Sequence, residues 1–280
     1  MKQVSLIIFL AAIVLLTGCK SPQEINSTGK IVVAVTIAPY AGIVKQIGGD
    51  KVDVIVLTPP NSSCETYEPT PLDISKASKS QIYFAVGANY AFENNLLQTV
   101  SENYKNIIIT DCSVGLQVKD NNPHLWLYPA GLKSIAGTVC SELSKIKPEL
   151  VSYFNSNKDN FIKKIDSIDI LIKNNLAGLR QKKMLVFHPS WFYFASYYGI
   201  EQFAIEAEGK EPTVKSMKAI IDFAKENKIK VLFLEPTTNE DSANAIKEEL
   251  KARICYLNPL QEDVLSNLLN VSVLIRDSFK

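Results

Sequence analysis

Residues 149–179 read ELVSYFNSNKDNFIKKIDSIDILIKNNLAGL. Within them Phe154, Phe161, Ile165, Ile168, Ile172, Leu176 and Leu179 recur at spacings of three, four and seven, which puts all seven on one face of a single long helix. Pro148 stands where such a helix begins. At 1.5 Å per residue the segment spans roughly 45 Å, enough to run the length of a two-lobed protein. Working outward, short β-branched runs flank it on both sides. IVVAVT (31–36), VDVIVL (52–57), QIYFAV (81–86) and NIIIT (106–110) come before it; MLVF (184–187), EQFAI (201–205), KVLFL (230–234) and RICYL (253–257) come after. Helical patterns or loops separate them, as in parallel βα units. Four strands on each side predict an α/β fold of two lobes, each a mainly parallel four-stranded sheet with helices, joined by one long rigid helix. The expected organisation is 30–147 for the first lobe, 148–179 for the linking helix and 180–280 for the second lobe. One rigid helix between the lobes predicts little domain motion, unlike a hinge of extended strands.

Composition narrows the function. Hydrophobic residues make up 46% of the 280 and charged residues 21%, with 30 basic against 29 acidic side chains and a net charge of +1. That is a globular composition, and it offers no electrostatic footprint for nucleic acid. No H-E-x-x-H helix, P-loop or G-x-S-x-G elbow is present. The N-terminus, MKQVSLIIFLAAIVLLTGCK, carries Lys2, an apolar run over 4–16 and then Leu16-Thr17-Gly18-Cys19. The run is short for a membrane span and suits a leader peptide. Its end resembles a bacterial lipobox, in which the Cys19 thiol accepts the lipid. Residues 1–18 are therefore expected to be a lipoprotein signal peptide and 19–29 a polar tether, with the mature protein lipid-anchored on the extracytoplasmic face of the membrane. Cys64, Cys112, Cys140 and Cys255 form no C-x-x-C pair, and their pairing is not legible from spacing. Cys140 falls in an apolar helical pattern and reads as core.

The chain has two histidines. His124 sits in NNPHLWLYP, past the last strand of the first lobe, and His188 in MLVFHPSWFYFASYYGI, just after the first strand of the second. The loop SSCETYEPTP (62–71), with Glu65, follows the strand VDVIVL in the same way. Open α/β sheets bind ligands beyond the carboxyl ends of their strands. Two imidazoles and a carboxylate delivered there from both lobes form a donor set for a divalent transition metal.

These residues carry a resemblance. TIAPYAGIVKQIGGDKV (36–52), TYEPTP (66–71), NPHLWLYP (122–129), FHPSWFYFASYYGI (187–200), EGKEPTVKSM (208–217), EP (235–236) and LNPL (257–260) are similar, in order, to segments of the metal-binding lipoproteins of bacterial ABC importers, the zinc/manganese solute-binding family. The resemblance covers nearly the whole mature chain. It implies two α/β lobes bridged by one helix, and a protein that captures a metal for a membrane permease without a chemical step, acting as a monomer. It implies metal ligands at Glu65, where relatives have histidine; at His124, in a D-P-H-x-W pattern with Asn122 replacing the Asp; and at His188. A fourth comes from a carboxylate in or just after the N-P-L turn, with Asn258, Gln261, Glu262 and Asp263 as candidates and Glu262 as the assigned ligand. Tyr67, Glu68, Trp126, Glu235, Asn258 and Gln261 are expected to hold the ligands in place, Glu235 alternatively to cap a helix. Glu208, Lys210 and Glu211 fall in a matching loop without a role.

The Glu-His-His set is harder than three histidines and keeps manganese or iron beside zinc, while His188 argues for zinc. Cys64 reads either as a small packing residue or as a thiolate that would favour zinc. Trp126, Trp191, Phe192, Tyr193 and Phe194 read as core packing. Two other functions fit the same residues: a metal-dependent hydrolase with Glu65 as general base, and a surface adhesin with a structural metal.

Overall fold

Ile31–Val35 (β1) is almost wholly buried, and its β-branched residues pair in parallel with Val52–Val56 (β2) on one side and Ile82–Ala85 (β3) on the other. Ile108–Asp111 (β4) joins β3 at the far edge, so the order is β2-β1-β3-β4. A second parallel sheet repeats the order as β6-β5-β7-β8, from Lys183–Val186 (β5), Glu201–Ala204 (β6), Val231–Leu234 (β7) and Arg253–Tyr256 (β8). All eight strands lie within one or two residues of the predicted runs. These observations come from a computed structural model that describes residues 29–59, 62, 67–206 and 213–279. The leader, Cys19 and the loop residues Cys64, Glu65, Glu208, Lys210 and Glu211 lie outside the described residues.

The helices that position the site are Ala38–Gly48 (α1), Pro71–Ala77 (α2), Ala91–Asn103 (α3), Pro129–Ile146 (α4), Val151–Leu176 (α5), Phe192–Tyr197 (α6), Val214–Glu226 (α7), Glu240–Leu250 (α8) and Val264–Ser278 (α9). The long helix is shorter than its predicted span. Pro148–Leu150 form a 3-10 turn, and the α-helix proper is 26 residues, about 39 Å at 1.5 Å per residue. Pro148 accordingly opens the 3-10 turn rather than the α-helix. The predicted face holds: Phe154, Phe161, Ile165, Ile172 and Leu176 are buried, while Ile168 and Leu179 pack partly buried against them.

That face packs on α1, α4 and α9 and so ties the two lobes together. The largest hydrophobic cluster runs from β1 and β3 through Phe154, Phe161 and Ile165 to Val186, Val231 and Phe233, and residues 31–280 form one compact unit. Polar contacts along α5 reinforce it: Asn157 donates to the Ile47 carbonyl at 2.9 Å, and Asn175 to Ser272 at 2.8 Å. The loop before α9 lies directly on α1. A Cβ on Gly42 would come 2.0 Å from the Glu262 carbonyl oxygen, so only glycine admits this approach.

Both sheets have their topological switch between the first and third strand of the lobe, β1/β3 and β5/β7. In the first lobe this crevice is filled from inside. The Glu93 carboxylate, on α3, accepts from the backbone N–H of Val86 at 2.7 Å and Gly87 at 2.9 Å, and it bonds the Thr36 hydroxyl at the end of β1. Burial pushes its carboxyl up to about 7, against the pull of those hydrogen bonds. Gly87, Ala88 and Asn89 are all left-handed, with φ of 73°, 54° and 58°. Glu93 and Ser113, which accepts from the Ala88 N–H at 3.0 Å, hold this run.

Candidate metal centre

His124 and His188 meet. Their ring centroids are 5.3 Å apart with an interplanar angle of 62°. His188 follows β5 directly, at the switch point of the second sheet; His124 arrives from the crossover after β4, just before the 3-10 turn Leu125–Leu127. With metal–nitrogen bonds of about 2.0–2.1 Å, two imidazoles on one tetrahedral ion have ring centres about 5 Å apart. The observed 5.3 Å lies close to that spacing.

Each ring is held at Nδ1 by a different partner. His124 Nδ1 lies 2.9 Å from Asn122 Oδ1, which also accepts from the His124 backbone N–H at 3.0 Å. Because an amide oxygen only accepts, Nδ1 carries the proton, and Nε2 is the basic nitrogen. His188 Nδ1 lies 3.1 Å from Glu206 Oε2, a half-buried carboxylate at the end of the strand next to β5. A carboxylate behind a ligating histidine orients the ring and raises its basicity. His124 is 2% exposed. Burial holds its imidazole well below the usual histidine value, and the neighbouring His188 lowers it further, so it stays neutral and able to bind metal. Trp126 closes one side, with its ring 5.0 Å from His124 and its Nε1 donating to the Pro259 carbonyl at 2.8 Å. It thereby joins the His124 turn to the N-P-L turn of the second lobe.

Other predicted residues fall elsewhere. Tyr67 stacks on Phe92 at 5.6 Å and donates to Asp73 at 2.7 Å. Asp73 completes a capping box with Thr70 at the start of α2, so Tyr67 ties the end of the 62–71 loop to a helix N-terminus. Glu68 is exposed. Glu262, the assigned fourth ligand, is not brought to the histidines: its carboxylate pairs with Lys45 of α1 at 2.7 Å, both groups about half exposed. Among the described residues no group of three or more His, Cys, Asp or Glu side chains is placed to hold a metal. Asp263 caps α9, accepting from Ser266 N–H at 3.2 Å and Ser266 Oγ at 2.7 Å. Asn258 Oδ1 accepts from the Leu260 N–H at 2.8 Å and so shapes the turn. Glu235 does not cap α8; Asn239 does, accepting from the N–H groups of Asp241 and Ser242. Glu235, Asn258, Gln261 and Glu262 line a cleft of about 570 Å³ together with Thr58 and Lys76, at the carboxyl ends of β2, β7 and β8.

Three residues of the centre escaped the sequence reading as partners: Asn122, Glu206 and Tyr193. Asn122 was visible as a departure from D-P-H-x-W; Glu206 and Tyr193 carried no local signal. Trp126, Trp191, Tyr193 and Phe194 are buried as the core reading expects, although Tyr193 adds hydrogen bonds to its packing. Cys140 is buried, and Cys112, Cys140 and Cys255 are free thiols.

With the geometry in view, comparison with known proteins is specific. The family described as zinc-uptake complex component A, periplasmic, matches residues 33–267. A crystal structure of ZnuA superposes with a TM-score of 0.85 at 33% identity, covering 90% of this chain and all of that one. The zinc-binding lipoprotein AdcA of Streptococcus pneumoniae is 24% identical over 93% of this chain, which spans 56% of AdcA's length. The manganese ABC transporter substrate-binding lipoprotein PsaA of Streptococcus pneumoniae is 25% identical over 87% of this chain and 84% of its own.

Proposed function

We propose that this chain, which belongs to the zinc-uptake component A family, captures a divalent transition metal outside the cytoplasm and hands it to the membrane permease of an ABC importer. It is a binding protein and catalyses no reaction. The observation that carries the reading is the pair of imidazoles 5.3 Å apart, each oriented through Nδ1 by a second residue. One residue comes from each side of the long helix, so the ion is gripped by both lobes, residues 30–147 and 180–280 in this reading.

Glu65 adds a carboxylate from the 62–71 loop. The cleft beside β7 and β8 offers oxygen donors at Gln261, Asn258 and Glu262, and Glu262 can turn to a metal only by giving up its ion pair with Lys45. Zinc is the cargo this donor set favours, because imidazole nitrogen binds it more tightly than manganese. Oxygen ligands narrow that margin. Cys19 carries the lipid that keeps the monomeric protein at the membrane surface, near its permease. Elemental analysis of the purified protein followed by competition titration with zinc, manganese and iron tests the reading. One tightly held zinc per chain is expected; a protein that binds none of the three refutes it.

A further inference from the structure

Asn122 does more than hold His124. Its Nδ2 donates to the Pro189 carbonyl at 2.8 Å, across to the other lobe and next to His188. The two ends of one amide therefore touch the two histidine turns. The orientation of this amide is determined by its partners: the His124 N–H can only donate and requires Oδ1, and the Pro189 C=O can only accept and requires Nδ2. The turn carrying Asn122 is itself pinned from the second lobe. Tyr193 of α6 accepts from the Lys119 N–H at 3.0 Å and donates to the Asn122 C=O at 2.9 Å. Between those two points lie Asp120 and Asn121, both left-handed at φ of 50° and 52°, a turn conformation that Asp and Asn tolerate better than other non-glycine residues.

We propose that Asn122 is a positioning residue that sets the separation of His124 and His188, and that an amide rather than a carboxylate is required at this place. The inference rests on the proposed metal capture. It runs against the family pattern, in which this residue is Asp. An Asp here could still accept from His124, but it has no hydrogen to give the Pro189 carbonyl. Its second oxygen would face that carbonyl with like partial charge, and among the described residues Pro189 would retain only the donor from Gln202 at 3.3 Å. The substitution that restores the family pattern thus breaks the link between the lobes. Tyr193 then has a defined part: its two hydrogen bonds hold Lys119 and Asn122 in the turn that aims the amide.

The test uses the full chain and zinc(II) alone, measured by competition with a chromophoric chelator. Asn122→Asp is expected to weaken zinc binding by roughly 10- to 100-fold, the usual effect of losing a ligand's supporting contact, and Asn122→Ala by at least as much. In metal-free protein, 15N NMR of the imidazoles should show His124 as one tautomer with the proton on Nδ1, and a tautomer mixture in Asn122→Ala. Native or tighter affinity in Asn122→Asp, or an unchanged His124 tautomer in Asn122→Ala, overturns the inference. Should the Asn122 variants fail to fold, Tyr193→Phe, which keeps the buried ring, decides: native melting with several-fold weaker zinc binding supports it, and native affinity overturns it. A native protein that binds no zinc would sink the capture reading, while the tautomer measurement would still judge the amide.

Discussion

The two lobes share a strand order yet treat the same crevice in opposite ways. In the first, the switch point between β1 and β3 is closed by Glu93, whose carboxylate satisfies the N–H groups of Val86 and Gly87 and bonds Thr36. In the second, the equivalent place holds His188, backed by Glu206. Topology nominates a ligand site at both places. Residue chemistry differs between them: one is filled by the protein's own carboxylate, and the other holds the imidazole that the proposed metal capture uses. The first lobe sends His124 from a different element, the crossover after β4, to meet His188.

Metal affinity separates the two crevices most sharply. His188→Ala and His124→Ala should each weaken zinc binding by orders of magnitude, with circular dichroism unchanged, whereas Glu93→Gln should leave affinity within a few-fold. A titration in which Glu93→Gln loses as much as His188→Ala would erase the distinction. Glu206→Gln keeps the shape but removes the charge behind His188, and its expected cost is about 10- to 100-fold in zinc affinity. Undiminished binding in that variant would reduce Glu206 to packing.

Stability against pH should respond in the other direction, to Glu93. Its folded-state value, about 7, lies above its ordinary value of 4.5. Between those limits the folded protein keeps a proton that the unfolded chain has lost. The associated stability is complete below about pH 4.5 and is lost as pH rises through about 7. Glu93→Gln should flatten this decline, an effect of a few kcal/mol at most, read from melting curves of metal-free protein between pH 4.5 and 8. Parallel pH curves for native and variant would count against a proton on Glu93.

The Glu65 loop sharpens the comparison further, because it would add oxygen to a centre whose described donors are nitrogens. Glu65→His should raise zinc affinity relative to manganese by about tenfold, in keeping with the preference of imidazole for zinc, and Glu65→Ala should weaken both. Equal selectivity in native and Glu65→His proteins would remove Glu65 from the centre. The smallest expected change is in shape. With α5 packed on α1 and α4 of the first lobe and on α9 of the second, the radius of gyration by small-angle scattering should be nearly the same with and without zinc, and a large contraction on loading would show a hinge.

What the sequence determined by itself was whatever depends on near neighbours in the chain. The eight strands announced themselves by β-branched runs, and α5 by a face repeating every three or four residues. His124 and His188 were nominated because each follows a strand, and Tyr67 because it sits in the loop 62–71 that resembles the family's ligand loop. Tertiary structure decided who touches whom. Asn122 and Pro189 are 67 residues apart, Tyr193 and Asn122 71, and Lys45 and Glu262 217. No periodicity records such pairs, because they arise where α5 and the helices packed on it bring the two lobes together. Glu93 carried no signal in the sequence; it gains its part because α3 packs it against the ends of β1 and β3. Glu262, one of four acceptable donors after the N-P-L turn, meets Lys45 because Gly42 lets its loop lie against α1. Hydrogen bonds and ion pairs act over a few ångströms, so their partners are settled only when packing has fixed those distances.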